Sequence, residues 1–170
     1  MQPGRWTRPL QVVTAICGLV FAVGTAVQAF AVITDETVGH AMALAGRTPA
    51  QIAAGAPELV TTLRMVGVGF LVANLLLLAA PRGRAWTFWL ALAVAIGQAL
   101  GVVAGMVPWV VLQATYERFG PVGLLPTLVT DGGSAVLAVV LLVSLVRYRT
   151  IWARLRPSGA RAASPPRSRG

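Results

Sequence analysis

The sequence predicts an all-α protein, an integral membrane bundle of four helices connected up-down-up-down. Three observations carry this. Charged residues make up 11% of the chain and hydrophobic ones 56%, with a mean hydropathy of +0.75, whereas soluble domains carry roughly 25% charged residues. Four apolar stretches each approach the ~20 helical residues that a ~30 Å hydrocarbon core requires. The charges, finally, sort onto two sides of those stretches. The same composition excludes disordered, collagen-like and disulfide-stapled folds. All 14 basic residues are Arg, and the richness in Arg, Ala and Gly fits a GC-rich bacterial origin.

The first span, residues 10–33, contains no charge. The loop that follows, 34–57, is the longest connection. Within it Thr48-Pro49-Ala50-Gln51 reads as a helix start: a Thr N-cap, Pro at the first helical position and Gln at the third. A short interfacial helix is expected there, ending near Gly55-Ala56-Pro57. The second span, 59–80, is interrupted only by Arg64. Pro81-Arg82-Gly83-Arg84 is a tight turn that folds spans two and three into an antiparallel hairpin. The third span, 85–107, ends at Pro108, and a short loop surrounds Glu117 to Pro121. The fourth, 124–146, contains Asp131. Residues 1–156 thus form one membrane domain, and the Pro/Ser/Gly-rich, basic 157–170 segment is expected to be a disordered cytoplasmic tail.

Arg5, Arg8, Arg82, Arg84 and the seven Arg of 147–169 fall on one side. Arg47, Arg64 and Arg118 fall on the other, with all five acids, Asp35, Glu36, Glu58, Glu117 and Asp131. By the positive-inside rule both termini lie in the cytoplasm and the protein sits in the cell membrane. This placement also makes nucleic acid an unexpected partner despite a net charge of +9. Trp6, Trp86, Trp152 and Tyr148 fall at the cytoplasmic interface, and Trp109 and Tyr116 at the outer one, as an aromatic belt. Arg5, Arg8 and the apolar run with Ala29 and Ala31 loosely imitate a signal peptide. The run exceeds the usual 7–15-residue apolar region, which favours an uncleaved span; cleavage would leave three. After the fourth span, Tyr148, Ile151, Trp152 and Leu155 share helical spacing among Arg147, Arg149, Arg154 and Arg156. This reads as a stop-transfer charge cluster, compatible with a surface helix that grips anionic lipid headgroups.

Gly97, Gly101 and Gly105 recur every fourth residue and mark a helix-packing stripe on span three, either within the bundle or between two copies. Gly67 and Gly69 on span two offer a partner surface. Asp131 is followed by 15 uncharged residues before Arg147, about 22 Å of helix and too short to cross alone. Asp131 therefore belongs near the outer interface. Arg64 and Gln28 fall at a similar depth, Ser134 one turn below, and Gln98 somewhat deeper. The expected polar intramembrane cluster is Arg64, Asp131, Gln28, Ser134 and Gln98. It is read as an Arg64–Asp131 ion pair, as two groups snorkelling outward with Asp131 capping its helix, or as an outward-opening ligand pocket. Catalysis finds no motif. The single Cys17 excludes a CxxC centre and a Cys-rich metal site, and the single His40, even beside Asp35 and Glu36, is a poor metal ligand set. No cofactor or metal is expected.

Glu58-Leu-Val-Thr-Thr-Leu-Arg64-Met-Val-Gly, leading into span two, and Gly97-Gln98-Ala-Leu-Gly101 in span three resemble small four-helix bacterial membrane proteins of the DoxX-like group. The resemblance is one of pattern and spacing over residues 58–111. It implies a membrane subunit beside a redox partner that supplies the cofactor. The residues by themselves favour a non-enzymatic structural or accessory subunit. The alternative is a ligand-binding or transport protein built on Arg64 and Asp131. Expected partners are the bilayer, anionic headgroups at the cytoplasmic Arg cluster, and another membrane subunit or a second copy.

Overall fold

The computed structural model describes residues 3–103 and 109–154. Among the described residues there is no strand. Helix α1 (Thr7–Val27) runs into a π turn (Gln28–Val32), and α2 spans Asp35–Leu44. Helix α3 (Pro49–Leu76) tightens into a 3-10 stretch (Leu77–Arg82), then α4 spans Ala85–Val103 and α5 Trp109–Phe119. Helix α6 (Pro121–Thr127) passes through a second π turn (Leu128–Gly132) into α7 (Gly133–Tyr148), and a 3-10 turn (Ile151–Ala153) follows. Three continuous runs, Thr7–Val32, Pro49–Arg82 and Pro121–Tyr148, are long and apolar enough to cross a membrane. The apolar part of α4, Ala85–Gly101, is shorter. Residues 104–107 of the expected third span, and the 157–170 tail, lie outside the described residues.

The helix start at Thr48 is present: Gln51 N donates to Thr48 Oγ1 at 3.4 Å and Thr48 N to Gln51 Oε1 at 3.1 Å. The expected stop at Gly55-Ala56-Pro57 is not, because α3 passes straight through Pro57. An internal proline removes one hydrogen bond and costs about 3 kcal/mol in isolation. Here Ala56 and Val60, on either side of it, pack with Val38 of α2 in a small second core, with Ile33, Met42, Ile52 and Leu63 around them. Helix α2 itself was not expected in the first loop. Thr34 caps it, accepting from Thr37 N at 3.2 Å, and Asp35 and Glu36 lie in its first turn, where carboxylates favour the helix dipole. The expected short loop near Glu117 is likewise largely helical, since α5 runs to Phe119 before Gly120 turns the chain.

The main core joins Phe21 of α1, Leu77, Phe88 of α4, and Leu137 and Leu141 of α7. Close backbone approach is made by glycines outside the expected stripe. A Cβ on Gly18 would lie 2.7 Å from the Asn74 carbonyl oxygen, and one on Gly133 would lie 2.6 Å from the Phe21 ring. Gly97, by contrast, leaves ordinary contact distance to Phe70, Gly101 meets nothing within 4 Å among the described residues, and Gly105 lies outside them. Gly67 meets Ala29 of the π turn after α1, and Gly69 meets nothing within 4 Å among the described residues. Within the described residues of one chain the tight seam is thus made by α1 with α3 and α7, and not at Gly97 or Gly101.

One end of the molecule gathers the N-terminal turn, the tight turn around Gly83 (φ +65°) and the segment after α7. The last of these is not a surface helix. Arg149 adopts φ +51° and ends α7. Trp152 is fully buried, edge-on to Phe88 at 5.2 Å between ring centres, and its Nε1 donates to the Arg84 carbonyl at 2.9 Å. Trp152 therefore leaves the expected interfacial belt. Its burial and the donor bonds of Arg154 to Gly83 O and Thr7 Oγ1 to Ala153 O hold three left-handed non-glycine residues, Arg149, Trp152 and Ala153. Such conformations persist only where surrounding contacts over-determine them.

Candidate functional site

The π turn in α1 and the orphan carbonyls at its end decide where Arg64 goes. A helix C-terminus leaves carbonyl oxygens without intrahelical donors and carries a partial negative charge. Arg64 donates Nε to Ala29 O and Nη2 to Ile33 O, each at 3.3 Å. The expected ion pair with Asp131 is not formed: among the described residues the ion pairs are His40–Glu117 and Arg118–Glu36. The cation satisfies the end of α1 instead, a nearer and fixed acceptor set.

The remaining members of the expected cluster separate as well. Gln28 Nε2 donates to Thr127 Oγ1 at 3.1 Å, tying α1 to α6. Ser134 Oγ donates to Gln98 Oε1 at 2.9 Å, and Gln98 Nε2 donates to Thr25 Oγ1 at 3.4 Å. This three-residue chain is buried and joins α7, α4 and α1. Gln98 and Ser134 are thus brought together, while Gln28 and Arg64 each serve another contact.

Asp131 stands apart from all four. It lies inside a continuous helical run, in the π turn Leu128–Gly132, and so does not cap a helix start. Pro126, which lacks an N–H, precedes that turn, and Gly132 and Gly133 follow it. Single π turns of this kind often occur at functional sites because the extra residue re-aims a side chain. Among described side chains the partner of Asp131 is the adjacent Thr130 Oγ1 at 3.3 Å, a hydroxyl that also faces the Pro126 carbonyl at 2.9 Å.

Asp131 borders an open cavity of about 610 Å³ between α4, α5 and α6–α7. Leu112, Leu124 and Leu128 supply apolar wall, and Trp109 and Tyr116 supply aromatic rings. Residues 104–108, which join α4 to α5, carry no ionisable side chain. Neither Gln98 nor Ser134 lines the cavity; the buried Thr25–Gln98–Ser134 chain lies in the bundle interior beyond it. Trp109, Leu112, Gln113 and Tyr116 are a site face that sequence reading missed. Their i, i+3, i+4, i+7 spacing was the available signal, obscured because Trp109 and Tyr116 were read as an interfacial belt beyond the end of span three at Pro108.

Helices α2 and α5 cross the same end. His40 Nε2 and Glu117 Oε2 are 2.6 Å apart, Gln113 Nε2 donates to Glu117 Oε1 at 2.9 Å, and Arg118 reaches Glu36. The hydrogen bond with His40, then that from Gln113, holds the Glu117 carboxyl below the usual carboxylate range. His40 is thereby used as a clasp between two helices.

No protein-family model, curated protein or solved structure matches this chain.

Proposed function

We propose that this chain is a four-span protein of the cytoplasmic membrane, with both termini cytoplasmic, that binds an amphipathic ligand carrying a cationic head. Helix α4, apolar over Ala85–Gly101, is read as the remaining span, third in chain order. The membrane placement draws support from the three long apolar helices and from the ends of the molecule. Arg5, Arg8, Arg82, Arg84 and Arg147 gather at one end, and Asp35, Glu36 and Glu117 at the other. It also explains the outward-facing Ile16, Val23, Met65, Val136 and Val146, each more than half exposed, since lipid tails solvate such side chains where water does not.

The ligand assignment is carried by one observation: Asp131 faces an apolar, aromatic-lined cavity and has no cationic partner among the described residues. A carboxylate at membrane depth is costly unless paired or facing a cavity. A cationic head would satisfy it, Trp109 and Tyr116 would add cation–π attraction, and the leucine walls would take an apolar body. A binding role is favoured over transport because the cavity does not reach Gln98 or Ser134. Arg64 is engaged with backbone carbonyls, which leaves Asp131 as the charged group of this site.

The test is titration of the detergent-solubilised protein with tetraphenylphosphonium, a lipophilic cation, and with tetraphenylborate, an anion of the same shape. The phosphonium is expected to bind once per chain and to lose about tenfold in affinity, roughly 1.4 kcal/mol, in D131N. Equal binding of both ions, or phosphonium binding indifferent to D131N, would return the chain to the accessory-subunit reading.

A further inference from the structure

At the Arg-rich end a second groove, of about 560 Å³, runs between the start of α1 and the end of α7. Its floor is aliphatic, formed by Val13, Val139, Val140 and Val143. Arg5 and Arg147 stand at its mouth, where it adjoins a smaller pocket of about 380 Å³ that shares Arg5, Trp6, Arg147 and Tyr148. The Arg5 guanidinium lies 5.6 Å from the Trp6 ring centre, which orients it. Neither arginine has an ion-pair partner among the described residues, and residues 155–170 carry no acidic side chain, since all five acids fall between residues 35 and 131.

One further atom points to a ligand. Ser144 lines this groove at 9% exposure, and its Oγ is buried with no hydrogen-bond partner among the described residues. A serine in a helix usually donates to the carbonyl four residues earlier; this one does not. It lies three residues before Arg147, on the same helical face and about 4.5 Å deeper.

We infer that this groove is a specific site for one anionic glycerophospholipid. Arg5 and Arg147 hold the phosphate, a rotation about χ1 turns the Ser144 hydroxyl outward to donate to a glycerol-ester oxygen one turn deeper, and an acyl chain lies along the valine floor. The order of these groups along α7, cation then hydroxyl then aliphatic surface, is the order of groups in the lipid. The site rests on the membrane placement proposed above but is independent of the Asp131 cavity.

The experiment is native mass spectrometry of the full chain in detergent, titrated with phosphatidylglycerol, with phosphatidylcholine and with inorganic phosphate. One phosphatidylglycerol per chain is expected to be retained in preference to the other two. R5Q/R147Q should weaken retention about 30-fold, the effect of two basic residues at a lipid surface. R82Q/R149Q, which removes the same charge from outside the groove, should leave it nearly unchanged. V143W, which fills the floor and keeps both arginines, should also abolish retention, so the outcome does not depend on the folding of the charge variant. Equal retention of phosphatidylcholine, equal loss from both arginine pairs, retention untouched by V143W, or displacement by inorganic phosphate would overturn the site. A chain that is soluble without detergent would overturn the membrane placement itself, whereas a detergent-dependent chain that ignores phosphatidylglycerol would overturn this site alone.

Discussion

Arg64 donates from Nε to the Ala29 carbonyl oxygen at 3.3 Å, and so caps the π turn that ends the α1 run from its place on α3. The same guanidinium reaches Ile33 O, four residues on. A charged donor on orphan carbonyls at a helix C-terminus contributes about 1–2 kcal/mol in partly buried settings. R64A should therefore lower unfolding stability in mixed micelles by about that amount. A double-mutant cycle of R64A with D131N should be additive within about 0.5 kcal/mol, as for residues that share no partner. A coupling well above 1 kcal/mol would restore the ion pair.

The Thr25–Gln98–Ser134 chain is expected to matter for packing and not for binding. Interhelical hydrogen bonds in membranes average about 0.6 kcal/mol. S134A should cost about that much, and Q98L about 1–2 kcal/mol because it strips both hydroxyls of their amide partner. Neither should change phosphonium affinity. A binding loss in S134A equal to that in D131N would mean that the cavity extends past the seal.

Trp152 divides packing from hydrogen bonding cleanly. W152F retains a ring against Phe88 but loses the donor to Arg84 O, at a cost of about 0.5–1.5 kcal/mol. W152A removes the whole side chain and should cost about 3–5 kcal/mol. Thermal unfolding followed by near-ultraviolet dichroism separates the two. If both variants melt with the wild type, the segment after α7 is not part of the core.

The clasp between α2 and α5 should depend on pH. Glu117 is held below its ordinary value near 4.5 by bonds made only in the folded chain. Its contribution is therefore fully present above pH 4.5 and is lost as pH falls through the lowered folded value. Hydrogen exchange is expected to show α2 amides losing protection from pH 5 to pH 3. E117Q should show weakened protection already at pH 7 and a smaller further change. Equal protection of both proteins at pH 7 would remove His40–Glu117 as a clasp.

Much of the fold was legible because long apolar runs and sharp caps are local signals. The Thr48 capping box and the Gly83 turn stand where the sequence puts them. Pro57 misled because its local penalty is offset by burial of Ala56 and Val60 against Val38, a contact some twenty residues away. Helix α2 was missed although Thr34, Asp35 and Glu36 mark its start, since a loop reading absorbed them. Spacing along the spans set Asp131 and Arg64 at a common expected depth but carried no facing. Residues at equal depth need not meet, and the carbonyls that claim Arg64 exist only because α1 ends in a π turn. Trp152 was placed at the interface from its amphipathic ring, while its burial depends on a left-handed backbone that no periodicity announces.

The most direct test of the account is the accessibility of position 131 from outside the cell. On a C17A background, D131C, S134C and Q98C would be treated in intact cells with a membrane-impermeant thiol reagent. D131C is expected to be modified from the outer side, and S134C and Q98C, whose positions belong to the buried hydrogen-bonded chain, are not. A D131C variant that is unreactive, or reactive only from the cytoplasmic side, would contradict it.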